Sequence, residues 1–242
     1  MSAPSGAVSR PPGRRVVALS PMRRAIARRM VESKASAPHF YVASEIEMDA
    51  VLELVDRVNE SRSRPERVTV TSCLLRAVAM ALDVHPALNA RWTGDTIEEW
   101  DAINIGVAIA VEDGLIAPAL LDCRRRDVAD LAAGLGDLVA RSRAGRLRAP
   151  EMTDATFTVS NLGMFEVTAF TAIITPPQVA ILATAKALDR PVVRDGEIVI
   201  RRIMSATLSC DHRVADGVGA AAFLATLKTL LEAPAAWAAM DT

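Results

Sequence analysis

Ser209-Cys210-Asp211-His212-Arg213-Val214-Ala215-Asp216-Gly217 joins an apolar run, Ile203 to Leu208, to a helical run, Val218 to Leu231. A strand that ends in a polar turn and feeds a helix sets the α+β character of the chain. His212 stands in that turn. Imidazole titrates at about pH 6.5, so it can take and return a proton at working pH. Asp216 follows four residues later, close enough to fix the turn or to anchor a distant arginine. A lone histidine is more often satisfied by backbone groups than catalytic. Here Asp211, Arg213 and Asp216, with Gly217 permitting a tight path, form a polar cluster that is costly to assemble for packing alone.

Working outward, the last strand runs to Ser209 and the last helix stops before Pro234. Val192 to Ile200 reads as a strand pair turning at Asp195-Gly196, and Ala169 to Ile174 and Val179 to Ala185 read as strands. Thr156 to Ser160 is an alternating strand introduced by Pro150. At the other end, Ser20 caps a helix and Pro21 suits its first position. Met22, Ile26 and Met30 then recur amid arginines over Met22 to Lys34, giving an amphipathic helix with a basic face. After Pro38, His39 to Met48 alternates as a strand. Asp49 caps a helix through about Asn59, and an arginine-rich loop leads to Arg67. Thr71 to Val84 is nearly all apolar, hence a buried helix, and Pro86 stops it. Arg91 to Asp101 turns at Thr93-Gly94-Asp95. Ile103 to Val111 and Leu115 to Leu121 form a hairpin around Glu112-Asp113-Gly114. Asp127 to Arg143 is a further amphipathic helix. Met1 to Arg15 reads as a flexible linker, and residues 16–242 as one domain. Long apolar strands of this kind want helices on one face.

The chain has 242 residues, 51% hydrophobic and 24% charged, which suits a soluble globular domain with a substantial core. A net charge of -1 gives no electrostatic footprint for nucleic acid or an anionic membrane. Three cysteines (Cys73, Cys123, Cys210) lack CxxC spacing and leave one unpaired in any disulfide scheme, so a reducing cytoplasm is the expected setting. No apolar stretch reaches the roughly 18 to 20 residues of a membrane span, and the first residues lack the apolar core of a secretory signal. Neither a zinc-ligand spacing nor a GxGxxG or Walker-type loop is present.

Besides His212, Thr156-Phe157-Thr158-Val159-Ser160-Asn161-Leu162-Gly163-Met164-Phe165 places the Ser160 hydroxyl at a strand end where it can face a cleft. Taken alone, Ser160 and Asn161 read as turn residues. Ile173-Ile174-Thr175-Pro176-Pro177-Gln178 reads as a rigid structural turn, and His39 and His85, beside prolines, as structural. Cys210 lies two residues from His212 and shares a strand face with it, so a Cys–His nucleophile is not excluded by spacing.

Together these stretches resemble the catalytic domain of the dihydrolipoamide acyltransferases, the E2 components of 2-oxoacid dehydrogenase complexes, closest to the pyruvate type. The match runs from about Val17 to Leu231. It rests on Met22-Arg23-Arg24-Ala25-Ile26-Ala27-Arg28-Arg29-Met30, Pro38-His39-Phe40, Pro86-Ala87-Leu88-Asn89-Ala90 and Asn104-Ile105-Gly106-Val107-Ala108. The Thr158-to-Phe165 stretch, Ile174-Thr175-Pro176-Pro177-Gln178 and Asp211-His212-Arg213-Val214-Ala215-Asp216-Gly217 complete it. The resemblance implies a chloramphenicol-acetyltransferase-like α+β sandwich assembled as a homotrimer, with active sites at the subunit boundaries. Coenzyme A and the lipoyl group are then the substrates, with no metal. His212 matches the general base and Ser160 the oxyanion donor, supplied across the boundary. Asp216 matches a residue that orients the site through an ion pair, here with Arg23 or Arg24. Transfer is direct, which demotes Cys210.

The same resemblance implies a larger cubic or dodecahedral shell as one possible assembly, and E1, E3 and a lipoyl domain as partners reached through regions absent from this chain. No lysine sits in an acidic lipoyl-type hairpin, so no covalently attached lipoyl group is expected. The chain reads as the core alone, cut from a longer protein or naturally short. Glu166 and Leu120-Leu121 depart from the family pattern near the expected channel, and the tail from Ala235 to Thr242 leaves its role as an inter-trimer hook open. Two rival readings are an acetyltransferase with another acceptor and a non-catalytic scaffold subunit. Retention of His212, Ser160 and Asp216 argues against the scaffold.

Overall fold

The structure, a computed structural model, describes residues 13, 15–63, 66–112 and 114–238. Most of the expected Met1–Arg15 linker, Asp113 of the expected turn and the last four residues of the tail lie outside these. In chain order the elements are α1 (Pro21–Ser36), β1 (His39–Glu47), α2 (Asp49–Asn59), α3 (Val70–Val84), β2 (Ala90–Trp92), β3 (Ile97–Glu99), β4 (Ile105–Val107), β5 (Ile109–Val111) and β6 (Gly114–Ile116). They continue with β7 (Ala119–Leu120), α4 (Val128–Arg143), α5 (Ala149–Thr153), β8 (Phe157–Asn161), β9 (Ala180–Thr184), β10 (Leu188–Arg194), β11 (Glu197–Asp211), α6 (Gly217–Glu232) and α7 (Ala235–Ala238).

The starts and turns follow local chemistry. Ser20 accepts a hydrogen bond from the Arg23 amide at 3.2 Å, with Pro21 at the first helical position. Thr69 and Ser72 close a capping box on α3. Asp195 and Gly196 both take positive φ and turn β10 into β11, as an Asp-Gly hairpin requires.

The main sheet is mixed, in the order β1-β11-β9-β8-β4-β7, with β10 on the outer half of β11. Strands β4, β8 and β9 run parallel and the other pairings are antiparallel. One face carries the helices: α6 packs on β1 and β11, and α3 lies between α4 and α6. Phe157 of β8 meets Phe223 of α6 at 5.8 Å, which fixes the inward side of β8. Val159, Leu208 and Cys210 share that buried side. Each fully buried side chain of this size contributes roughly 1.5–3 kcal/mol.

Strand alternation sends Thr158 and Ser160 to the opposite face. In register with them lie Ile181 and Ala183, Ser209 and Thr207, and Tyr41 and Ala43. That face is lined mostly by small or polar side chains. Residues 162–179 cross it as a strap linking the end of β8 to the start of β9.

Two expectations are corrected. Ala169–Ile174 is not a strand, because its backbone groups are taken by side chains instead of a ladder. The Ser209 hydroxyl donates to the Ala172 carbonyl (2.7 Å), the Ser33 hydroxyl to the Ile174 carbonyl (2.6 Å), and the Ile174 amide to His39 Nε2 (3.1 Å). The long hairpin expected over Ile103–Leu121 is split. Its tip, β5–β6, is a separate two-stranded sheet, while β4 and β7 belong to the main one. Pro118 has no amide to continue the ladder between the arms, and the Ala108 amide turns to Val159 of β8.

Glu151, which carries no local sequence signal of burial, is 2% exposed in the first turn of α5. Its carboxylate accepts from Arg141 Nη1 and Nη2 (2.5 and 2.7 Å), Arg148 Nε (2.8 Å) and the Arg148 amide (2.8 Å). The Arg141 hydrogen bonds, ahead of those from Arg148, hold its carboxyl down at about 2 against an ordinary 4.5. Because the folded value is the lower one, this stabilisation is complete above about pH 4.5 and is lost as pH falls toward 2. Glu151→Gln should lower stability near neutral pH by about 3 kcal/mol. Thermal melts from pH 6 to 3 should also show a shallower acid loss in the variant; parallel curves would remove Glu151 as its source.

Candidate active site

His212 is the first residue past β11, and three elements hold it. Its amide donates to the Pro38 carbonyl at 3.0 Å. Its ring meets Phe40 of β1 with centroids 4.7 Å apart and planes tilted by 51°. The preceding Asp211 donates its amide to Val179 and receives the amides of Val214 and Ala215 on its carbonyl. The ring is exposed, and among the described residues no hydrogen bond ties down either ring nitrogen. A general base needs at least one ring nitrogen open to the proton it takes.

The two carboxylates of the motif have different surroundings. Asp211 is 3% exposed and accepts from Arg213 through its amide (3.0 Å), Nε (3.0 Å) and Nη2 (2.6 Å), so its charge is neutralised inside the turn. Those bonds push the Arg213 guanidinium up. Asp216 is exposed and caps α6, accepting from the Gly219 amide at 2.8 Å. The ion pair expected with Arg23 or Arg24 is not formed among the described residues; Arg24 Nη1 instead donates to the Leu19 carbonyl at 2.6 Å.

Ser160 sits part-buried at the C-terminal end of β8, on the small-residue face. Asn161 takes the turn role: its Oδ1 accepts from the Gly163 amide (2.7 Å) and its Nδ2 donates to Thr71 Oγ1 (3.1 Å). Ser160 shares a row with Ala183 and Thr207. His212 lies five residues beyond Thr207 along β11, toward the opposite end of β8, and two strands across. At roughly 3.3 Å per residue and 4.8 Å per strand, the two are about 19 Å apart within one chain. They cannot act on one atom together from the same subunit.

The remaining candidates are structural. His39 has both ring nitrogens on backbone groups, Nδ1 against the Ala37 carbonyl (2.8 Å) and Nε2 accepting from Ile174. His85 Nε2 pairs with Thr226 Oγ1 at 2.8 Å, and burial lowers its pKa. Cys210 faces the core, where desolvation pushes its thiol up to about 12, so it is no nucleophile. Between Ser160 and His212, Thr158 donates to Gln178 Oε1 (2.6 Å), and Gln178 donates to the Ala155 carbonyl (3.1 Å). Gly106 makes room for this, because a Cβ there would lie 2.9 Å from Thr158 Oγ1. A separate cleft of about 160 Å³ lies among β7, α4 and α5, where Arg141 and Arg148 are engaged by Glu151. Among the described residues no cluster of His, Cys, Asp and Glu could hold a metal, and no helix is long and apolar enough to cross a membrane.

Residues 11–239 match the family of 2-oxoacid dehydrogenases acyltransferase, catalytic domain; the chain belongs to that family. It is 39% identical over 231 residues to the dihydrolipoyllysine-residue acetyltransferase component of the Zymomonas mobilis pyruvate dehydrogenase complex. That match covers 95% of this chain and 52% of the relative, so the chain spans about half the length of the curated relative. The cubic core of the pyruvate dehydrogenase multienzyme complex superposes with a TM-score of 0.90 at 28% identity, covering 97% of this chain and 98% of that one. Azotobacter vinelandii dihydrolipoamide acetyltransferase gives 0.88 at 29% identity over 93% of each chain. That structure was used to probe the catalytic roles of a serine, a histidine 52 residues later and an asparagine four residues beyond it. Chloramphenicol acetyltransferase, 15% identical over 84% of this chain and 94% of its own, shares the fold with a TM-score of 0.57.

Asparagine and aspartate cap helices about equally well. Asp216→Asn should therefore leave the melting temperature within a degree or two, while Asp216→Ala should cost about 1 kcal/mol of stability. Equal losses in both variants, read by thermal melts, would mean that the negative charge matters and not the cap.

Proposed function

We propose that this chain is an acyltransferase core that moves an acetyl group between a dihydrolipoyl thiol and coenzyme A within a pyruvate dehydrogenase-type complex. The observation that carries the reading is the spacing of Ser160, His212 and Asp216. They stand 52 and four residues apart, as do the serine, histidine and asparagine probed in the Azotobacter enzyme.

His212 takes the proton of the attacking thiol, and the thiolate adds to the carbonyl carbon of the acyl thioester. The Ser160 hydroxyl donates to the oxyanion as charge develops there. Collapse of the tetrahedral adduct breaks the old carbon–sulfur bond, and the departing thiolate takes the proton back from His212. No acyl-enzyme is needed, in keeping with the protonated, buried Cys210.

The separation of about 19 Å between Ser160 and His212 along the sheet requires the serine of one subunit to serve the histidine of another. A homotrimer with sites at its boundaries meets that requirement. In such an assembly the lipoyl arm of a partner domain delivers the acyl group, and E1 and E3 associate through other regions of the complex. The likeness to a cubic core supports a larger shell built from trimers. Trp237 is not free to join them, because it is 1% exposed and donates Nε1–H to the Leu230 carbonyl at 2.8 Å.

His212→Ala should abolish CoA-dependent transfer to dihydrolipoamide, and Ser160→Ala should lower kcat by about 10² to 10³. The two variants co-expressed should recover activity, since one of the three boundaries in every mixed trimer, about a quarter of all boundaries at random assembly, brings an intact histidine to an intact serine. Absence of recovery in a co-purified mixed assembly would place both groups in one subunit and sink the shared site.

A further inference from the structure

Only 4% of the residues are aromatic, yet two adjacent residues of the turn each meet a ring from a different element. His212 lies on Phe40, and the Arg213 guanidinium lies 3.9 Å from the ring centroid of Trp92. Trp92 ends β2 in the hairpin β2–β3, which stands apart from the main sheet. Arg91, Trp92 and all of β3 are exposed, so core burial does not account for their placement.

The hairpin is nevertheless held firmly. At its base Asn89, 2% exposed, donates to the carbonyls of Trp100 and Ala102 at 2.8 and 3.0 Å. Arg91 Nε pairs with Glu98 across the strands at 2.6 Å, and Arg91 forms a β-bridge to Gln178, next to the His212 turn. A rigid support therefore presents the indole to the guanidinium that neutralises buried Asp211. Water on that face would compete with Asp211 for the guanidinium; the indole excludes it and adds a cation–π attraction.

We propose that Trp92 is a positioning residue: by covering Arg213 it keeps the Asp211–Arg213 pair closed and thereby fixes the placement of His212. The inference rests on the acyl-transfer reading above, in which His212 is the base. An imidazole that wanders by about 1 Å loses on the order of 10²-fold in rate, so a contact of this modest strength has a measurable kinetic effect.

The test is steady-state transfer between acetyl-CoA and dihydrolipoamide by the intact assembly. Trp92→Leu should lower kcat about tenfold with both KM values, the assembly mass and the melting temperature unchanged. Trp92→Phe, which restores a ring face, should return kcat to within about twofold of wild type. A Trp92→Leu enzyme with wild-type kcat overturns the proposal. So does a change confined to KM, which would make Trp92 a substrate contact, or a kcat loss matched by a lower melting temperature or a broken assembly. His212→Ala run alongside separates the two readings. If it stays active the base assignment fails; if it is inactive while Trp92→Leu is unaffected, only the positioning role fails.

Discussion

The backbone ladder of β11 links its fifteen residues to β1, β9 and β10, and most of the molecule is arranged by it. With a side-chain period of two, a slip of one residue would turn Ser205, Thr207 and Ser209 into the helical core and expel Ala206, Leu208 and Cys210. The hydrophobic cost of that exchange pins the register. A pinned register fixes where the strand ends, and so where His212 emerges. The same rows set the distance to Ser160, so the composite nature of the proposed site follows from strand pairing alone.

The helix-free face of the sheet explains the strap. A segment lying across small and polar side chains cannot gain much from apolar burial, so its backbone groups need specific partners. Ser33 and His39 supply them from the α1–β1 region, and Ser209 from the sheet. His39 is thereby tied to the strap as firmly as His212 is free of such ties, although both are motif histidines beside short turns. What separates them is the state of the ring nitrogens: two backbone partners in one case, none among the described residues in the other.

Much of this was legible in the sequence. The cap at Ser20, the buried helix ahead of Pro86, the Asp195-Gly196 turn and the strand-to-helix passage at His212 each carry a local chemical signature, and each stands where expected. The failures share a cause. Ala169–Ile174 has the apolar composition of a strand, but its hydrogen bonds go to side chains distant in the chain, which no local pattern displays. Ile103–Leu121 alternates like a single hairpin, yet Pro118 and the pull of β8 on Ala108 divide it between two sheets. The Arg141–Glu151–Arg148 cluster was not legible: Pro150 reads as the lead-in to the strand Thr156–Ser160, whereas Pro150 and Glu151 lie in the first turn of α5, and no local pattern displays the burial of Glu151. Trp92 had no sequence signal at all, lying about 120 residues from the arginine it covers.

Asp211 and Asp216 divide between them a task that the motif, read as a string, assigns to carboxylates in general. Burying Asp211 without a partner would be prohibitive. With Arg213 two residues on, the pair closes a loop so short that little chain entropy is lost in forming it. That closure stiffens the turn from within and consumes the charge, leaving none to hold the imidazole. Asp216 is exposed and gives its oxygen to the first turn of α6, which an amide could do equally well. The asparagine probed in the Azotobacter enzyme accords with this. Neither carboxylate then needs to touch the imidazole, whose nitrogens carry no hydrogen bond among the described residues.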